Sequence, residues 1–487
     1  MSSSFEDWGR KYGLVLALVV GLAIWLLPTP ATMSITQHKL LSIFGGAVVV
    51  WITIGINFAV STFAIISLLY FWVGNDAGKL AKDGSLVHDA NFAVSGFGSP
   101  ALWLLVTGFV IAIAMTRSGV AKRLALYMMR LFGRTPPGAI LASLLANFLI
   151  APLTPSNTAR TAAMLPIIEG IAAAYKAEPG KSNFGKALAL SATFASNITG
   201  SAFLTGTIPN PVAIGMIAAA AGASVSTTWG YWALAAVPTN VVILIVTAWL
   251  MLKLFPPEVK VLPGGLDYIN KELAGMGPMT RREKKAILYF FLALLLWSTD
   301  MIHNFNSTMV AFFVSLLIFL PKIGVLEWKE TEKSLPWELF VYFGGVLTLG
   351  DALMRTKAFE WLIKTCLSSL GLEHVAMMPL LILLIGFTIF SHVVWSTTTA
   401  MAGVMIPIYI GLAQVMGFNI VSFVLPLAIM MAYALFLPFN TMGNIILFGT
   451  GYYTVTEQVK SSVILGMIIW GLWIVTAFTW WRVIGLL

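Results

Sequence analysis

Two short polar clusters lie inside apolar runs about half a chain apart. The first reads Pro155-Ser156-Asn157-Thr158-Ala159-Arg160, and Pro166 follows Ser156 by ten residues. The second reads Ser396-Thr397-Thr398-Thr399-Ala400-Met401, and Pro407 follows Thr397 by ten. Each precedes another apolar run that breaks at a Pro/Gly/Asn site. One break is Thr205-Gly206-Thr207-Ile208-Pro209-Asn210, the other Pro438-Phe439-Asn440-Thr441-Met442-Gly443-Asn444. Hydroxyls and amides of this kind are hydrogen-bond donors and acceptors for a polar solute. Lipid tolerates irregular backbone only where it is buried in protein or lines a cavity. Paired clusters at membrane depth therefore point to a substrate site built from two related halves of a transporter.

Composition sets the same class. Of 487 residues, 59% are hydrophobic and 10% charged, and mean hydropathy is +0.89. Soluble domains carry about 25% charged residues. Apolar runs long enough to cross hydrocarbon recur from end to end, with no large hydrophilic domain between them. The net charge of +9 comes largely from short loops, a topology signal rather than a nucleic-acid footprint. The single Cys366 excludes a disulfide framework within the chain and reads as a thiol on a helix surface. No Gly-rich phosphate loop, zinc-spaced His/Cys cluster or hydrolase elbow is visible. Neither an enzyme nor a metal or cofactor site is expected. Arg10 and Lys11 precede the first apolar run, which ends at Leu26-Leu27-Pro28 without an A-x-A pattern. It is expected to be a retained helix rather than a cleaved signal peptide.

Candidate spans cover 12–29, 39–56, 58–74 and 98–117, the N-terminal unit 12–117. A basic loop with Lys122, Arg123, Arg130 and Arg134 follows. The stretch 137–173 is too long for one helix. Split near Pro152 and Pro155, its halves each give about 22 Å of helix against a hydrocarbon core of about 30 Å. A re-entrant hairpin is predicted, with Ser156-Asn157-Thr158 at its tip. A span at 184–218, broken near 199–211, and one at 226–255 complete the unit 137–255. Gly200, Gly206 and Gly443 are expected to permit unwound backbone at the breaks, beside Thr207, Pro209 and Pro438.

The segment 256–285 carries Lys260, Lys271, Arg281, Arg282, Lys284 and Lys285 and should be a cytoplasmic loop. The unit 286–487 then holds spans at 286–302, 307–321 and 337–354, a second hairpin at 376–416, a span at 420–452 broken near 438–444, and a last span at 461–484. The predicted fold is an all-α polytopic membrane protein with about eleven transmembrane helices plus two re-entrant hairpins. With the N-terminus cytoplasmic, the loops at 118–136, 174–185, 253–285 and 322–336 fall inside together with Lys460, and they hold most of the Lys and Arg. The first hairpin then enters from inside and the second from outside, so the halves are inverted repeats.

The run Thr154-Pro155-Ser156-Asn157-Thr158-Ala159-Arg160-Thr161, the later Thr-rich cluster and both broken helices resemble the divalent anion/sodium symporter family. These are the INDY-type di- and tricarboxylate transporters. The likeness covers essentially the whole chain. It is greatest to the exchanger branch, such as bacterial citrate/succinate antiporters and plastid oxoglutarate/malate translocators, with which Met279-Thr280-Arg281-Arg282-Glu283 is also shared. The resemblance implies a homodimer in the cytoplasmic membrane, with a fixed scaffold domain and a mobile transport domain that moves substrate by an elevator-like displacement. Sodium-coupled members carry Ser-Asn-Thr at both tips. Here the second asparagine is missing, and Ser396 leaves the register of the second cluster open by one residue.

For such a substrate, Ser156, Asn157 and Thr158 are candidates for one carboxylate, and Thr397, Thr398 and Thr399, with Ser396, for the other. Asn210 and Asn444 are expected to cap the broken helices and wall the site. Arg160 lies one turn beyond Ser156 in an apolar run, where an ionisable residue marks function by default. His392 stands five residues before Thr397 and can carry charge near neutral pH. These two cations would offset substrate charge as bound sodium does in symporters. A structural ion pair is expected for Asp351 and Arg355, four apart. The expectation is sodium-independent antiport of C4–C5 dicarboxylates (succinate, malate, fumarate, 2-oxoglutarate). The alternatives are a sodium-coupled dicarboxylate or citrate symporter and, in another class, an anion channel or intramembrane enzyme.

Overall fold

The computed structural model describes residues 2–74, 87–221, 228–261, 266–371 and 374–487. The side chain of Arg10 and the first residues of the 226–255 span lie outside the described residues. In hydrocarbon every backbone group must be bonded within the protein, which favours helices. The chain is all-helical, with no strand among the described residues. Polar residues start several helices by accepting orphan N–H groups. Ser34, Thr280 and Thr454 each form a capping box with the residue three positions on.

Among the described residues seven helical stretches are long and apolar enough to cross a membrane, including Ile35–Thr53, Pro100–Ser118, Trp229–Leu254 and Trp337–Arg355, and shorter apolar helices accompany them. The first hairpin pairs Pro136–Ile150 with Asn157–Ala174 through a 3-10 turn at Ala151–Leu153. The second pairs Met377–Ser391 with Thr398–Met416 through a 3-10 turn at His392–Val394. Its return arm has 19 residues, about 28 Å of helix, and is by itself long enough to cross. Pro166 and Pro407 lie inside the two return arms.

Both broken spans are broken. Asn183–Ala202 stops, turns through Leu204–Gly206 and resumes as Pro209–Ala221. Ile420–Met430 stops, turns through Pro438–Asn440 and resumes as Met442–Phe448. The Asn183–Ala202 helix is buried along almost its whole length. It packs on Trp229–Leu254 and on both arms of the first hairpin, so it is the post against which that tip is set.

Three stretches depart from the expected layout. The basic loop at 118–136 forms the helix Val120–Phe132. Gly119, at φ 88°, turns the chain into it, and its apolar stripe of Val120, Ala121, Ala125, Leu126 and Met129 is buried. Within 256–285 lies the helix Asp267–Gly275, and Arg281–Ser298 begins before the segment ends. A further helix, Ala358–Leu370, precedes the second hairpin and carries the exposed Cys366. The Asp351–Arg355 pair forms at 2.9 Å. Trp481 is fully buried and stacks on Trp473.

Candidate substrate-binding site

The two hairpin tips and the two breaks open onto one cavity of about 790 Å³. Ser156, Asn157 and Thr158 line it from the first hairpin, and Ser396, Thr397, Thr398 and Thr399 from the second. Thr207 and Ile208 enter from one break, and Phe439, Asn440, Thr441, Met442 and Ile445 from the other. Val393 and Val394 add apolar surface, as do Ile52 and Ile54 at the end of the Ile35–Thr53 helix. Among the described residues no charged side chain lines the cavity.

Capping fixes the register of the second cluster. Ser156 Oγ accepts from Ala159 N at 3.3 Å, and Thr397 Oγ1 accepts from Ala400 N at 3.0 Å. Thr397 is thus the counterpart of Ser156, and Thr398 stands where Asn157 stands in the first half. Each return arm presents its first N–H groups to the cavity, without intrahelical acceptors. The dipole there favours an anion.

Arg160 is fully buried and does not line the cavity. Its Nη1 donates to Thr154 O at 2.6 Å and Gly206 O at 2.5 Å. Its Nη2 donates to Asn157 Oδ1 at 2.6 Å and Ser196 O at 2.7 Å. The cation therefore sits in a cage of four oxygens between the first tip and the first break. Asn157 is also engaged through Nδ2, which donates to Asn197 Oδ1 at 3.2 Å. Its amide faces protein on both sides, and what it offers the cavity is the start of its helix.

His392 opens the turn of the second hairpin, also buried and outside the cavity lining. Its Nδ1 lies 3.0 Å from Thr388 O and 3.1 Å from Ile389 O, and its Nε2 lies 3.2 Å from Met431 O. Carbonyl oxygens only accept, so a neutral ring donates from one of its two nitrogens and the imidazolium from both.

Asn210 and Asn444 stand behind the breaks rather than on the wall. Asn210 Nδ2 donates to Gly200 O and Phe203 O, both at 2.9 Å. Asn444 Nδ2 donates to Ala434 O at 2.8 Å and Leu437 O at 3.2 Å. Asn444 Oδ1 accepts from Asn197 Nδ2 at 2.9 Å and from Thr441 Oγ1 at 3.0 Å.

The glycines act by close approach, not by unusual backbone. None of Gly200, Gly206 and Gly443 has positive φ. A Cβ on Gly200, in the last turn of its helix, would lie 2.9 Å from Asn157 Oδ1. On Gly443 it would meet Thr161 Oγ1 at 2.9 Å, and on Gly206 it would meet Gly200 O at 2.6 Å. Pro209 opens the helix after the first break and Pro438 the 3-10 turn within the second, where a missing N–H is no loss.

Asn440 and Thr441 belong to the site although sequence reasoning gave them no role. Thr441 was findable, because it precedes Asn444 by three residues as Thr207 precedes Asn210. Nothing local marks Ile52 and Ile54. Among the described residues no group of three or more His, Cys, Asp or Glu side chains could hold a metal ion.

A family model described as the sodium:sulfate symporter transmembrane region matches residues 9–487. The chain is 27% identical to the L-tartrate/succinate antiporter of Escherichia coli strain K12, over 99% of this chain and 100% of that one. It is also 27% identical to a membrane protein of Cupriavidus necator, over 98% of this chain and 93% of that one. Among solved structures, the YdaH transporter of Alcanivorax borkumensis aligns over 99% of this chain and 98% of its own, with a TM-score of 0.56 at 14% identity. MtrF of Neisseria gonorrhoeae aligns over 87% and 96%, with a TM-score of 0.55 at 13% identity. The last two are likenesses of fold.

Proposed function

Because the chain belongs to the sodium:sulfate symporter family, the divalent anion/sodium symporters, we propose that it exchanges C4–C5 dicarboxylates across the cytoplasmic membrane. Succinate, malate, fumarate and 2-oxoglutarate are the substrates of this reading. One observation carries it: both hairpin tips present a hydroxyl-capped helix start to a single cavity. A dianion with carboxylates a few ångströms apart meets one helix start with each, gaining N–H donors and a favourable dipole at both ends. The relative named as an L-tartrate/succinate antiporter supports the substrate class.

Charge compensation falls to Arg160 and His392, behind the tips. Each is held by carbonyl oxygens, and each takes the part that a bound sodium ion plays in a symporter. Covalently fixed cations cannot leave with the substrate, so the empty site keeps positive charge. Carrying that charge through hydrocarbon costs several kcal/mol even on lenient insertion scales. Loaded transit is then favoured over empty transit, which makes exchange obligatory. The remainder of the reading is an elevator-like displacement of a transport domain against a scaffold, within a homodimer whose N-termini are cytoplasmic.

Ligand-induced stabilisation tests the substrate class. Succinate, malate, fumarate and 2-oxoglutarate should raise the melting temperature of the purified protein in sodium-free buffer, because a ligand that binds only the folded state stabilises it. Lactate and pyruvate should not. Stabilisation that requires sodium would favour the symporter instead.

A further inference from the structure

Both hairpin tips face the same problem. Carbonyls at the turn have left a helix and need donors from inside the protein, since hydrocarbon offers none. In the first hairpin, Arg160 Nη1 serves Thr154 O and joins it to Gly206 O of the break. Four residues after its cap the second hairpin has Met401, which has no donor. Its turn is nevertheless held.

We propose that Asn440 is the positioning residue of the second tip, doing with a neutral amide what Arg160 does with a guanidinium in the first. Asn440 Nδ2 donates to Trp395 O at 2.9 Å and to His392 O at 2.8 Å. Trp395 stands two residues before the cap Thr397, as Thr154 stands two before Ser156. Asn440 Oδ1 accepts from Leu437 N at 2.8 Å, inside the break. One side chain thus ties the second turn to the second break. Asn440 precedes Asn444 by four residues, as Gly206 precedes Asn210. The donor has moved from the hairpin to the break.

The crowding at Gly206 accounts for the difference. A Cβ there would lie 2.6 Å from Gly200 O and 3.1 Å from Thr199 O. No side chain can grow from that position, so in the first half the tether must come from the hairpin. Asn440 is 1% exposed, and its amide is occupied by backbone on both sides. It sets where Thr398 and Thr399 stand relative to the break.

Hydrogen–deuterium exchange on the full chain in lipid nanodiscs reads each tip separately. Asn440→Ala should speed amide exchange across 392–399 by about tenfold or more while 154–160 exchange at the parent rate. Asn440→Ser, which keeps one short donor, should fall between, and it decides by the same criterion if the alanine variant cannot be purified. In proteoliposomes, Asn440→Ala should raise the KM for succinate more than it lowers the maximal rate. No change at the second tip, or equal loosening of both tips, would overturn the proposal. The transport arm rests on the dicarboxylate reading, but the deuterium arm needs no substrate. A second tip that loosens in a protein that moves no succinate would count against the dicarboxylate reading alone.

Discussion

Arg160 Nη2 donates to Asn157 Oδ1 at 2.6 Å. An amide oxygen is a ligand type that hard cations take, and here a side-chain cation already holds it. The contact continues through Asn157 Nδ2 to Asn197 Oδ1, and from Asn197 Nδ2 to Asn444 Oδ1. The first tip is thereby linked to the second break through three amides, and a change at Arg160 is felt on both sides of the cavity.

Replacing Arg160 with alanine should weaken substrate binding and loosen the exchange requirement. The measurement is efflux of labelled succinate into dicarboxylate-free buffer relative to efflux with external succinate, and the ratio should rise. Lysine should restore little, because its ammonium cannot span four acceptors as the planar guanidinium does. His392→Ala should act in the same direction more mildly. If both alanine variants bind and exchange like the parent without added leak, Arg160 is confined to structural pairing.

At the second tip, Thr398→Ala should lower succinate affinity about tenfold or more, the roughly 1.5–3 kcal/mol of a hydrogen bond to a charged group. Melting temperature should not change. Asn157→Ala should lower both, because its amide holds Arg160 and Asn197 behind the tip that meets the substrate. Equilibrium binding and thermal melting on the two variants separate the effects. Unchanged affinity in both would move the site elsewhere.

Gly206 and Gly443 differ in what a methyl group would strike. At Gly206 the obstacle is the backbone oxygen of Gly200 at 2.6 Å, and at Gly443 the nearest atom is the hydroxyl of Thr161 at 2.9 Å, with the backbone oxygen of Asn157 farther off at 3.2 Å. A side chain can rotate away, whereas a packed backbone must shift. Gly206→Ala should cost about 1–3 kcal/mol of stability, and Gly443→Ala clearly less. Equal melting temperatures for the two variants would contradict the packing described for the first break.

Arg123 Nε meets Glu283 Oε1 at 2.6 Å, with both side chains nearly buried. Burial alone would raise the Glu283 carboxyl. Hydrogen bonds from Arg123 and Thr280 outweigh it and hold the carboxyl below its ordinary value. The contribution of the pair is therefore full above a pH of about 4.3. It is lost as pH falls through the depressed folded-state value. Arg123→Met, which leaves Glu283 buried and alone, should cost about 3–5 kcal/mol at pH 7. Melting curves for parent and Glu283→Gln should converge in acid, and a constant gap between them down to pH 3 would contradict this account.

Sequence carried the hairpins, the breaks and the residues at both tips, because each is a polar interruption of an apolar run and lipid makes such interruptions rare. It misread parts whose signal is ambiguous. The basic residues of 120–132 suggest a loop, yet the apolar stripe between them is buried along a helix, and Arg123 is paired with Glu283. That partner is 160 residues away. Gly200 suggested unwound backbone, but its small size serves the Asn157 side chain packed against it. Asn440 was invisible as a tether because its partners, His392 O and Trp395 O, are backbone atoms. Ile52 and Ile54 reach the cavity by tertiary packing alone.

Counterflow in proteoliposomes tests the central claim most directly. Uptake of labelled succinate should require a dicarboxylate inside the vesicle and should be indifferent to a sodium gradient. Robust uptake into vesicles that hold no dicarboxylate, driven by sodium alone, would contradict it.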